Sequence, residues 1–198
     1  MDELISDLRS RYLNVFNSHL EGADGTPFYA SDLVVFGVLD RQIGLLEAMP
    51  NLFQEKNIHA LAPLLRVQLD GLLRLHAFLI VESMHDLTNH MLKGNHLRKF
   101  KDRDGTQLHD SHLVKTLSEE LPWVEEMYST LSGWVHLSST HIFTAVSEGE
   151  EDRTIEIGVG SFRQNLPDSL WEEARGAVQA IHEATITKVE GYFERENA

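Results

Sequence analysis

The chain has 198 residues, 42% of them hydrophobic, and no cysteine, so a core of ordinary size can form without disulfides, thiolate chemistry or cysteine-ligated zinc. Its 31 acids against 17 bases leave a formal net charge of -14, a field that repels polyanions at long range. No apolar run reaches the roughly 18 residues of a membrane-spanning helix, and the nearest, Leu72 to Val81, is interrupted by Arg74 and His76.

Met1 to Ser10 alternates charged and apolar residues instead of joining a basic start to an apolar middle, so a cytoplasmic location is expected. Leu4, Leu8, Tyr12, Val15 and Phe16 share one helical face, and Gly22 to Pro27 breaks that helix just after Glu21. Ser31 is the expected cap of a second helix running to about Met49, with Val35, Leu39, Ile43 and Leu46 on its apolar side. A third helix is predicted from about Asn57, with Pro63 in its first turns, unbroken to about Leu92. It is the expected centre of the bundle.

Gly94 to Asp110 reads as a long polar loop, followed by helices over Ser111 to Leu121 and Pro122 to Ser138. The period then changes: His141 to Val146 is strand-like, and Thr154 to Val159 alternates with Ile155, Ile157 and Val159 on one side. The acidic stretch Ser147 to Asp152 is the predicted turn. Because an isolated hairpin is marginal in water, its apolar side is expected to lie on the helices. Ser169 and Glu172 have capping-box spacing at the start of a last helix, with Trp171, Ala174, Val178, Ile181 and Val189 as its buried stripe. Residues 1–198 are therefore expected to form one mainly α domain, a bundle of about five or six helices with a β-hairpin at about 141–159 before the last.

Phosphate-loop, dinucleotide, zinc-protease and serine-elbow motifs are absent from the sequence. What remains is polar residues on strongly apolar helices. Arg66, Asp70 and Arg74 at i, i+4 and i+8 form one stripe beside the apolar arc of Leu65, Leu69 and Leu72, which is either a solvated charge ladder or the rim of a cleft able to grip an anion. His76 falls within the apolar arc and needs a hydrogen-bond partner, most simply as a buried structural histidine. Ser132 and His136 lie one turn apart at the margin of the helix after Pro122. They lack the third group and oxyanion donors of a nucleophilic site. The candidate cleft is thus Arg66, Asp70, Arg74, His76, Ser132 and His136, with Arg66 and His136 expected as neighbours. No cofactor and no metal is expected, since the clustered histidines, His109 and His112 among them, lack a Glu-x-x-His carboxylate pattern.

The segments Leu64-Leu65-Arg66-Val67-Gln68-Leu69-Asp70 and Tyr128 to Ser138, with its Leu131-Ser132-Gly-Trp-Val-His136 core, resemble a broad group of uncharacterised prokaryotic helical-bundle proteins. The resemblance spans roughly Ala60 to His141 and implies a fold without implying a reaction. A more distant resemblance is to HEPN domains, which pair two copies of an Arg-x(4 to 6)-His motif. Here the match is Arg103 to His109, interrupted by Gly105 and placed in a loop. That resemblance implies a dimeric ribonuclease as the alternative to a ligand-binding or regulatory protein, and a purely structural or interaction protein is the third reading. A homo-oligomer is the expected partner state. Net charge argues against nucleic acid, whose binding would fall to Lys93, Arg98, Lys99, Lys101 and Arg103.

Overall fold

A computed structural model describes residues 1–21, 28–149, 151, 153–160 and 166–196, with residues 195 and 196 described by backbone alone. Apolar side chains leave the helix Ile58–Ile80 (α4) on nearly every side, from Ile58 and Leu61 through Leu69, Leu72 and Leu73 to Phe78, and all are buried. A helix apolar all round has to be surrounded. It packs against α2 (Ala30–Glu47), α6 (Asp110–Ser118), α7 (Trp123–Val135) and α9 (Asp168–Glu196), while α1 (Asp2–Glu21) lies against α2 and α9. Shorter helices, α3 (Met49–Gln54), α5 (Met84–Leu92) and α8 (Ser139–Phe143), connect these elements. The protein is mainly α, with one antiparallel hairpin, β1 (Val146–Glu148) and β2 (Ile155–Ile157), before the last helix.

Side-chain hydrogen bonds tie the outer helices to one another. Asp32, fully buried in α2, accepts from the Tyr29 N–H at 2.9 Å and from the Tyr192 hydroxyl of α9 at 2.9 Å. Tyr12 of α1 meets Nδ1 of His182 in α9 at 2.7 Å. Where α2 crosses α4, the Gln42 amide donates to the Gln68 carbonyl at 2.9 Å, and Gly71 makes room: a Cβ there would stand 2.8 Å from the Gln42 nitrogen.

Several boundaries differ from the sequence expectation for identifiable reasons. The second helix is capped by Tyr29, whose N–H is held by Asp32; Ser31 lies inside the helix and is buried. That helix ends at Glu47, and Pro50 starts the separate turn of α3. The long third helix is two helices. Ser83 leaves the helical conformation and accepts from the Asp86 N–H at 3.1 Å, an N-cap that starts α5. Residues 141–143 are helical because Ser138 and His141 satisfy one another's backbone N–H groups in a capping box, which leaves only Val146–Glu148 for the first strand.

The hairpin's apolar side faces outward. Val146 pairs with Ile157 and Glu148 with Ile155, placing these four on one face, and Ile155, Ile157 and Val159 are 65%, 70% and 92% exposed. The expected packing of that side on the helices does not occur. Val135, the last residue of α7, is also exposed. The predicted break at 22–27 and turn residues 150 and 152 lie outside the described residues.

Candidate functional site

On α4 the i, i+4, i+8 spacing aligns Arg66, Asp70 and Arg74 along one flank, where the helix borders α2, α6 and α7. Arg74 donates from one Nη to Asp70 at 2.6 Å and to Asp110, at the start of α6, at 3.0 Å. The Arg66 guanidinium lies 4.0 Å from the Tyr128 ring centroid, 3.6 Å from the Asp110 carboxylate and 4.0 Å from Asp70. Its Nε donates to the Ser132 hydroxyl at 3.4 Å. From α2, Arg41 reaches within 4.0 Å of Asp70, and the Tyr128 hydroxyl donates to Asp110 at 3.4 Å.

The cluster is neither open nor sealed. The side chains of Arg66, Asp70 and Arg74 are 14%, 22% and 23% exposed, while Arg41 is about half exposed. Contact with the Tyr128 ring face, the Nε–H bond to Ser132 and the ion pair to Asp110 hold Arg66 in one orientation, which lowers the entropy lost when its remaining N–H groups grip a ligand. Three guanidinium groups surround two carboxylates, so the cluster carries one positive charge in excess within an acidic chain.

Of the predicted cleft, Arg66, Asp70, Arg74 and Ser132 come together, and His76 and His136 do not join them. His136 caps α7 with extended backbone angles, φ -101° and ψ 145°, and is exposed. It makes no hydrogen bond to Arg66 among the described residues. Helical i, i+4 geometry linking it to Ser132 stops one residue too early. His76 is buried and its Nε2 lies 3.0 Å from the Thr116 hydroxyl. That hydroxyl donates to the backbone carbonyls of His112 and Leu113, so His76 Nε2–H is the donor and Nδ1 is left as a buried acceptor with no described partner. Burial, with the charge of Lys188 adding and Glu120 opposing, pulls the His76 pKa down to about 4. The same burial lowers His182 to about 3 and raises the Tyr12 phenol.

Sequence reasoning missed Asp110, Tyr128 and Arg41 at the cluster. Asp110 carried a weak signal, an acidic residue at a helix start. Tyr128 lies one turn before Ser132.

The basic loop is ordered by its own polar groups. Asp102 accepts from the Asp104 and Thr106 N–H groups at 3.0 and 2.8 Å, and from His112 at 2.6 Å. Burial alone would raise the Asp102 pKa, but these hydrogen bonds hold it below the usual carboxylate value. Arg103 donates to the Leu79 and Ile80 carbonyls at 2.7 and 3.1 Å, satisfying the C-terminal end of α4, and His109 bonds Gln107. Lys93, Arg98, Lys99 and Lys101 are exposed. Among the described residues no three histidine, aspartate or glutamate side chains converge as metal ligands.

Fold and site together define a mainly helical bundle with a half-buried arginine–aspartate cluster on its central helix. No protein-family model, curated protein or solved structure matches the chain.

Proposed function

We propose that the protein is a ligand-binding helical bundle that takes a small oxyanion, a carboxylate or phosphate group, at the arginine cluster of α4. One observation carries the reading: among the described residues three arginines meet two carboxylates, Arg66 and Arg74 at both Asp70 and Asp110 and Arg41 at Asp70, with Arg66 already oriented by Tyr128 and Ser132. Planar guanidinium forks match the paired oxygens of carboxylate and phosphate, and partial burial strengthens the attraction relative to open water. Arg41, half exposed and 4.0 Å from Asp70, is the arm free to turn onto an incoming anion.

Inorganic phosphate and acetate, titrated at low ionic strength against a chloride control of equal ionic strength, are expected to raise the melting temperature saturably. Arg41→Gln should weaken the apparent affinity roughly fivefold to tenfold, the loss of one charge-assisted hydrogen bond, while leaving the unliganded melting temperature nearly unchanged. An effect no larger than that of chloride, or one undiminished in both Arg41→Gln and Arg66→Gln, would sink the reading.

A second reading, a protein that associates with itself, is favoured by the outward apolar face of the hairpin together with Leu137 and Phe143, 91% and 71% exposed. Exposed large apolar side chains, where they cluster, mark contact sites in soluble proteins. Sedimentation across a hundredfold concentration range should show a dimer that Ile157→Asp converts to monomer. A wild-type chain monomeric at every concentration removes this reading.

A further inference from the structure

A groove of about 300 Å³ runs between α7 and α9, which both pack on α4. It lies apart from the arginine cluster, on the other flank of α7. Leu65 of α4 forms part of the floor, and Trp123, Met127 and Trp134 of α7 form one wall. Small residues, Ala62 on the floor and Ala174 on the α9 wall, account for the space. Trp123 and Met127 are only half buried, so apolar surface that a tighter helix contact would cover stays accessible. The rim carries two exposed carboxylates, Glu126 from the α7 wall and Glu173 from the α9 wall. Neither has an ion-pair partner among the described residues.

We propose that this groove binds a small hydrophobic cation, an alkyl- or arylammonium whose apolar body lies between the tryptophans and whose charge rests between Glu126 and Glu173. The volume is at the lower end of small-molecule pockets and too small for a folded partner's helix. The charge complementarity is one-sided: two acids flank the groove and no basic residue lines it among the described residues, so an anion of the same shape is disfavoured. Each exposed carboxylate adds a modest attraction for the ammonium, and the indoles supply apolar surface for its body. Two such carboxylates predict a preference for a cation over its neutral analogue of roughly tenfold.

Three probes of one skeleton test this: 4-phenylbutylamine, 4-phenylbutanol and 4-phenylbutyrate, titrated at neutral pH by calorimetry and by quenching of tryptophan fluorescence. The amine is expected to saturate one site roughly tenfold more tightly than the alcohol, and the carboxylate to bind more weakly than both. In the double variant Glu126→Gln, Glu173→Gln, two surface changes that leave the core intact, the amine should fall to the affinity of the alcohol. Ala174→Leu should reduce binding of amine and alcohol alike by filling the groove. The proposal is overturned if the amine shows no saturable binding, if amine and alcohol bind equally to the wild-type protein, or if the preference persists in the double variant. The last result would assign the amine to the general negative field of the surface.

Discussion

Lowering the pH from 7 to 4 is expected to remove most of the folding stability, with the loss beginning near pH 6.5. His182 is fully buried between α1 and α9 and His76 nearly so between α4 and α6, and burial lowers their pKa values to about 3 and about 4. In the unfolded chain both titrate near 6.5. Between pH 6.5 and the folded values the unfolded state binds more protons than the native state, so stability falls as pH falls. The His76 contribution levels off near pH 4 and that of His182 near pH 3. At 1.36 kcal/mol per pKa unit, each histidine is worth roughly 3 kcal/mol or more across its window, and the two together are comparable with the whole stability of an ordinary domain.

Urea unfolding at pH 7, 6, 5 and 4 measures this slope. The double variant His76→Asn, His182→Asn should be less stable at pH 7 but much flatter in pH. Asp102 acts in another window: its lowered pKa makes its contribution disappear only below about pH 4, as the carboxylate protonates. A wild-type slope near zero between pH 6.5 and 4, or one unchanged in the double variant, would show that these two imidazoles are not the groups responsible.

Replacing Asp70 by alanine is expected to cost about 2 to 3 kcal/mol, less than a fully buried ion pair because the site is partly wet. Asp70 is the carboxylate on which Arg41, Arg66 and Arg74 converge, and its loss leaves Arg66 and Arg74 with Asp110 alone and Arg41 with no carboxylate among the described residues. A double-mutant cycle with Arg74→Ala should return a coupling energy of about 1 kcal/mol or more, since the two groups meet at 2.6 Å. Phosphate should stabilise the Asp70→Ala protein more than the wild type, because the anion takes the place of the missing carboxylate. A cost below about 0.5 kcal/mol with no coupling would mark the stripe as an ordinary solvated charge ladder.

Local rules reached some elements and stopped short of others. The faces of α1 and α9 were legible because Leu8, Tyr12, Val178, Ile181 and Val189 recur at helical spacing and are buried. The break between α4 and α5 had a readable signal in Ser83 and Asp86, but the continuous apolar pattern from Leu72 to Leu87 hid it. At 141–143 a β-like run of side chains lost to a capping box, because two satisfied N–H groups outweigh a propensity difference of some tenths of a kcal/mol. At the site, the Arg66, Asp70 and Arg74 stripe follows from spacing alone. The expected meeting of Arg66 with His136 failed at the end of α7, where the backbone turns extended one residue before helical periodicity would have delivered the ring.

Sequence alone determined that the chain is mainly helical, that the helix starting near Asn57 lies at its centre and that an arginine–aspartate stripe runs along one flank of that helix. Those properties are set by neighbours three or four residues away, and local spacing encodes them. Only the tertiary structure decided that Asp110, Tyr128 and Arg41 complete the cluster, that the hairpin turns its apolar side outward, and that an acid-rimmed groove opens between α7 and α9. Each depends on how whole helices rotate and cross, which is fixed by packing the entire core at once and written in no single segment.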